Sequence, residues 1–209
     1  MRIVFALALC SVLALPVSAQ DLVRPAGWMT RFDHDGMSEA DLDMFAEMPP
    51  GWHVTSGPAG IYWTASNEIT GDFRLEMEVF QFDPEGRREA FGLFLGGRDL
   101  QGPNQEYTYF LLRDGGQFLI KRREGTETPT HKPWTDHDAI KSYADRGGEA
   151  SMKNVLMVEA RSEDVRFFVN GSEVARLPRS ELNVDGVFGF RVNHALNLHI
   201  SRLEASAIR

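Results

Sequence analysis

The chain has 209 residues, 43% of them hydrophobic, with 22 basic against 30 acidic side chains and a net charge of −8. That acidic balance argues against nucleic acid or anionic lipid as a partner, because both reward basic surfaces. The single cysteine, Cys10, excludes an internal disulfide, and no Gly-x-Ser-x-Gly, His-Glu-x-x-His or phosphate-loop lysine pattern occurs.

Residues 1–19 read as a secretory signal peptide. Arg2 supplies a short positive region, and residues 3–15 are apolar but short of the roughly 20 needed to span a bilayer. Val17-Ser18-Ala19 is a small-residue cleavage site before Gln20. An uncleaved anchor is the alternative. Cleavage takes 19 of 209 residues and leaves 190, without a cysteine and, with Arg2 gone from a chain of charge −8, at −9. The expectation is a periplasmic or secreted protein, free of the membrane once cleaved. A chain of that size can build one full core without disulfides.

Residues 20–51 form a lead-in. Ser38 is a candidate N-cap for a short helix over residues 38–45, with Asp41 three positions on, and Pro49-Pro50-Gly51 ends it. From Trp52 the apolar residues recur with period two. Strands are predicted at 53–54, 60–66, 72–82, 90–97, 106–113, 117–123, 154–161, 165–169, 173–177, 187–193 and 196–204. Asn170-Gly171 joins two of them. Both central positions of a type I′ turn need positive φ, which Asn-Gly tolerates best, so a hairpin is predicted there. Asp114-Gly115-Gly116 signals a second hairpin. Residues 125–150 break the rhythm, with Pro129, Pro133, Gly147 and Gly148. They read as a long loop with a helical turn over 135–143, and loops of that length are often functional. The fold class is all-β, an antiparallel two-sheet sandwich over residues 52–209.

From Trp52 to Ala205 the pattern resembles a concanavalin A-like (laminin-G-like) jelly roll. It is most similar to the bacterial exported 3-keto-disaccharide hydrolase domain family. The likeness rests on Trp52-His53-Val54, Ile61-Tyr62-Trp63, the run from Gly71-Asp72-Phe73 to Glu78, and Gly92-Leu93-Phe94-Leu95-Gly96-Gly97. Asn154-Val155-Leu156, Val169-Asn170-Gly171 and the run from Gly186-Val187-Phe188 to Asn193 complete it. The resemblance implies two antiparallel sheets, one concave, with a carbohydrate or similar polar ligand on the concave side. Arg191 and Asn193 stand where family members often carry Gln and His. The superfamily also holds glycoside hydrolases with a Glu-x-Asp-x-x-Glu strand. The nearest match here is Glu76-x-Glu78-x-x-Gln81, which lacks the last acid.

Several residues are candidates for chemistry. Glu76 and Glu78 are two apart on a strand, so their carboxylates share a face at a spacing of about 7 Å and would suit an acid–base pair. A solvated, charge-balanced face is the plainer reading. Tyr107 and Tyr109, with Lys121 and Arg123 on the partner strand, would make an aromatic and basic face able to stack sugar rings and hold hydroxyls. Closing the core is their alternative role. Trp63, Trp134, Arg191 and Asn193 join the ligand-binding set, Trp134 because it is an aromatic in a polar loop. No cofactor is expected. Calcium is the remaining alternative, from Asp33, Asp35, Gly36 and Glu39, which do not complete an EF-hand. His131 and His137 have no recognised metal spacing.

Overall fold

A computed structural model describes residues 22–208, so the leader expected over residues 1–19 lies outside the described residues. Fourteen strands follow in order: β1 (Trp28–Phe32), β2 (Met44–Glu47), β3 (Trp52–Thr55), β4 (Gly60–Ile69), β5 (Phe73–Gln81), β6 (Ala90–Arg98), β7 (Glu106–Arg113), β8 (Gln117–Glu124), β9 (Thr130–Asp136), β10 (Met152–Ala160), β11 (Asp164–Val169), β12 (Ser172–Pro178), β13 (Gly186–Val192) and β14 (Asn197–Ala207). They form two antiparallel sheets of seven. The first runs β1-β4-β13-β6-β7-β8-β9, the second β12-β11-β10-β5-β14-β3-β2. Among the described residues the only helical elements are three short 3-10 turns.

The period-two alternation builds the sandwich directly. Phe73, Leu75, Met77 and Val79 of β5 are at most 1% exposed, while Arg74, Glu76 and Glu78 face the other way. In β13, Phe188, Phe190 and Val192 turn into the same inter-sheet core. The Phe190 ring stacks on Tyr62 at 5.0 Å between centroids and packs against Phe45 at 6.0 Å.

The lead-in differs from expectation. Ser38 does cap a turn, with both bonds of a capping box, but the turn is 3-10 and spans Glu39–Asp41 only. Met44 to Glu47 then pair with Thr55 to Trp52 as β2, which buries Phe45 and Ala46. Cross-strand pairing and burial override the local helix signal. The lead-in therefore supplies an edge strand to each sheet, β1 to the first and β2 to the second. Residues 125–150 also hold a strand. β9 is the far edge of the first sheet, where Pro133 can sit without breaking an interior ladder. The 3-10 turn of this segment lies at Tyr143–Arg146, not over 135–143.

The Asn170-Gly171 hairpin is present, with φ of 49° and 84°. Asn170 does more than turn the chain. Its Nδ2 donates to Ala139 O (2.7 Å) and Asn154 Oδ1 (2.9 Å), and its Oδ1 accepts from Val155 N (2.9 Å). Asn154, 1% exposed, exchanges two further bonds with the Lys141 backbone. The pair pins residues 139–141 against β10. Asn170→Gly keeps the backbone freedom and removes only the side-chain bonds, so it should lower unfolding free energy by about 1–3 kcal/mol in urea titrations. A loss of a few tenths would mean that the turn alone matters.

Candidate functional site

The first sheet is apolar on both faces. Opposite the inter-sheet core, a second cluster gathers Ile61, Trp63, Phe94, Tyr107, Tyr109, Leu111 and Leu119 on its outer face, with Met29, Trp134 and Val187 packed against it. Rings meet in a line across the strands, Trp63 to Phe94 at 6.5 Å, Phe94 to Tyr107 at 5.4 Å and Tyr107 to Tyr109 at 5.7 Å. Gly189 makes room for this line, since a Cβ there would lie 2.6 Å from the Phe94 ring and 2.1 Å from Tyr62 O. The turn after β6 closes over one end. Leu100 enters the cluster, and Arg31 on β1 donates to Leu100 O (2.9 Å) and Gly102 O (2.6 Å).

Arg191 stands at the centre of this face, 8% exposed. Its Nη1 donates to Asp33 Oδ1 (2.8 Å) and to Tyr107 Oη (3.4 Å), and its Nη2 to Asp33 Oδ2, a two-pronged ion pair. The guanidinium also lies 5.5 Å from the Tyr109 ring centroid. Burial works against both charges. For Asp33 it pushes the carboxyl upward, but the bond and charge of Arg191 outweigh it and hold the pKa below its usual 3.8. For Arg191 burial favours loss of the proton, and the Asp33 bond reverses this and raises its pKa. Burial raises Tyr109 to about 12, so its hydroxyl stays a donor at neutral pH. Nε of Arg191 and Oδ1 of Asn193 are buried without a partner in the protein.

Around this centre the face is basic and half-open. Lys121 pairs across from Tyr109, and Arg123 from Tyr107. Lys121 touches only Thr128 Oγ1 (3.3 Å), and Arg123 uses Nε on Gly125 O (2.6 Å). Arg123 is close enough to Asp33 to lower its pKa further. Trp134 lies under Arg113, 4.0 Å from ring centroid to guanidinium carbon. A hollow of about 530 Å³ adjoins Asp33, lined among others by Arg31, His34, Asp35, Gly36, Ser38 and Gln101.

Of the residues predicted from sequence, the structure brings Tyr109, Lys121, Arg123, Trp134 and Arg191 to one face, with Asn193 just past the end of β13. Trp63 and Tyr107 share that face, but they are 3% and 1% exposed. They belong to the floor of the site, as does most of the Tyr109 ring, which is 7% exposed and packs on Tyr107. Glu76 and Glu78 lie elsewhere, on the outer face of the second sheet. Glu76 is ion-paired with Arg202. Glu78 accepts from Lys153 Nζ (2.9 Å) and Ser201 Oγ (2.8 Å), and the Lys153 bond, against a smaller effect of burial, holds it below the usual 4.5. A general acid needs the opposite, a raised pKa. The two carboxylates form the charge-balanced face that was the plainer reading, and they share no site with Arg191. Asp33, which the sequence offers only within an incomplete calcium set, pairs here with Arg191. Among the described residues no three His, Cys, Asp or Glu side chains gather as a metal site would need. Only the β1–β4 pairing, which sets Arg31 opposite Ile61, brings Asp33 to Arg191.

Removing one partner of the buried pair should be costly. Asp33→Leu leaves Arg191 unpaired and should cost toward the low end of roughly 3–5 kcal/mol, because Asp33 keeps 25% of its side-chain surface. Asp33→Leu with Arg191→Met should recover most of that loss in urea unfolding, and a simple sum of the two single effects would refute the coupling. Acid should destabilise the fold in two stages. Burial, aided by His53, holds His199 below its usual 6.5. The unfolded chain therefore binds that proton first, and stability falls as pH drops through about 6.5. Glu78 and Glu159, lowered from 4.5, and Asp33, lowered from 3.8, add a second, steeper fall below about 4.5. Urea midpoints followed from pH 8 to 3 check both, and His199→Asn should remove the upper step alone.

No family model matches the sequence, and no curated protein matches it. Solved structures do match. The carbohydrate-binding module CBM66 from Bacillus subtilis superposes with a TM-score of 0.58 at 14% identity, over 87% of this chain and 96% of that one. A Bacteroides ovatus mixed-linkage glucan GH16 protein, in complex with its G4G4G3G product, gives 0.62 at 8% identity, over 89% and 97%. Sheep galectin-11 in complex with glycerol gives 0.50 at 10%, over 77% and 100%. The fold is the galectin-like and concanavalin A-like antiparallel jelly roll.

Proposed function

We propose that this protein is an exported saccharide-binding module that takes its ligand on the outer face of the first sheet. One observation carries the reading. A buried Arg191–Asp33 pair and a protonated tyrosine hydroxyl sit at the centre of a face whose rim, Lys121, Arg123 and Trp134, remains half-open. Sugar recognition uses such a combination, a few fixed polar groups on an apolar floor. Structures with the same fold and carbohydrate in their names support the class of ligand. Export to the periplasm or beyond rests on the leader sequence. Membership of the 3-keto-disaccharide hydrolase family is the finer reading, and it rests on the sequence motifs alone. Glu76 and Glu78 are ion-paired on the outer face of the second sheet, so a hydrolase built on them would use a site separate from this one.

A saccharide array followed by calorimetry tests the proposal. At least one oligosaccharide should bind, and Trp134→Ala with Tyr109→Phe should weaken it by about tenfold or more while the protein stays folded at the assay temperature. Glu78→Gln should leave binding untouched. Absence of binding across the array would sink the reading.

A further inference from the structure

The two outer faces of the sandwich treat charge in opposite ways. On and around the second sheet's outer face, Arg74, Arg161, Arg166, Arg176, Arg202 and Lys153 each lie within 4.0 Å of a carboxylate. On the first sheet's outer face, Arg31, Arg113, Lys121, Arg123 and Arg191 are placed by strand alternation, and only Arg191 has a carboxylate partner, Asp33. Asp136 at the β9 edge accepts from Gln117 (2.8 Å), and Asp35 and Asp99 lie in the loops at the β1 end of the face. Arg31 is spent on two backbone carbonyls, and Arg113 on Gln117 and the Trp134 ring. Lys121 and Arg123 are left, side by side with Tyr109 and Tyr107, without a carboxylate in ion-pair contact, although Arg123 bonds Gly125 O and acts on Asp33 from a longer distance. In a chain of net charge −8 with 30 acidic side chains, two cations without a carboxylate beside a buried third are a selective feature.

We infer that the ligand is an acidic saccharide whose carboxylate groups are met by Lys121 and Arg123, while Arg191, Asn193 and Tyr109 hold its ring hydroxyls. This rests on the saccharide-binding reading above. A carboxylate bound by a guanidinium or ammonium group gains charge-assisted bonds that a neutral sugar does not. Nucleic acid fits poorly, because an acidic molecule repels a continuous polyanion over the distance of about 8 Å that salt leaves unscreened. A sugar acid presents its charges singly, between hydroxyls, on the scale of this patch. The Arg191–Asp33 pair adds an acceptor beside the cations, so the face offers hydroxyl recognition as well as charge.

The test pairs each uronate with its own neutral form. Tetrasaccharides of galacturonate, glucuronate, mannuronate and guluronate are titrated into the full protein by calorimetry, each beside its methyl ester. At least one uronate should bind about tenfold or more tighter than its ester at about 50 mM salt, and that advantage should shrink severalfold at about 500 mM. Lys121→Ala and Arg123→Ala should each remove most of the advantage and leave ester binding in place. Arg176→Ala, on the opposite sheet, should change nothing. Equal binding of acid and ester overturns the inference and leaves the saccharide reading standing. If neither those sugars nor any on the array binds, both fall. An advantage that survives Lys121→Ala and Arg123→Ala, or citrate competing as well as the best uronate, also overturns it.

Discussion

Leu93 and Phe94 are neighbours on β6, point to opposite faces, and are both 0% exposed. That double burial is the demand the rest of the molecule answers. Leu93 is served by the second sheet, through the inter-sheet core. Phe94 has no sheet above it, so its cover is assembled from Trp63, Tyr107 and Leu100. The turn that carries Leu100 follows β6 and would not stay down by itself. Arg31 holds it by two backbone carbonyls, and Asp99 holds it internally, accepting from Asn104 N at 3.0 Å. The edge strand β1 is thus needed for the outer cluster, not only for extending the sheet.

Asp33 follows directly on the last residue of that strand, and this links the packing problem to the polar centre. A guanidinium as buried as that of Arg191 is expensive to remove from water unless it is paired and hydrogen-bonded. Asp33 and Tyr107 supply those bonds. A buried ion pair is weak grounds for stability, because well-packed apolar residues would serve as well or better. Packing alone would have favoured an aliphatic side chain between Ile61 and Gly92, which flank Arg191 in register. Its presence there makes more sense as a fixed, directional set of donors than as glue.

The sandwich core was legible in the sequence because alternation with period two survives translation into faces. Phe188, Phe190 and Val192 on one side and Arg191 on the other follow from spacing alone. Three strands were not legible, each for its own reason. β2 begins just after a true capping box, whose local signal points to a helix. β9 contains Pro133, which is compatible with a strand only at an edge, and being an edge is a property of the whole sheet. β1 has Trp28, Thr30 and Phe32 on one face and Met29 and Arg31 on the other, too mixed for a hydrophobic rhythm. The site failed to show for a related reason. Its side chains come from β1, β7, β8, β9 and β13, distant in sequence and adjacent only through pairing. Residue type found Arg191 and Tyr109, but not that Tyr107 and Trp63 would be roofed over, nor that Asp33 would meet Arg191.

The two carboxylates of β5 show why geometry has to precede chemistry. Glu76 and Glu78 satisfy the spacing rule for an acid–base pair, yet an acid must hold its proton at working pH and so needs a hydrophobic or like-charged setting. Their setting is the reverse. Lys153 and Ser201 donate to Glu78, and both bonds favour its ionised form, while Glu76 is ion-paired with Arg202. A face that neutralises its own charges has little left to offer a polar ligand, since each contact would first have to displace a bond already made. The opposite face keeps Lys121 and Arg123 without a carboxylate beside an apolar floor. Electrostatic incompleteness on one side and completeness on the other is the asymmetry from which a binding face can be told apart from a scaffold face on the same fold.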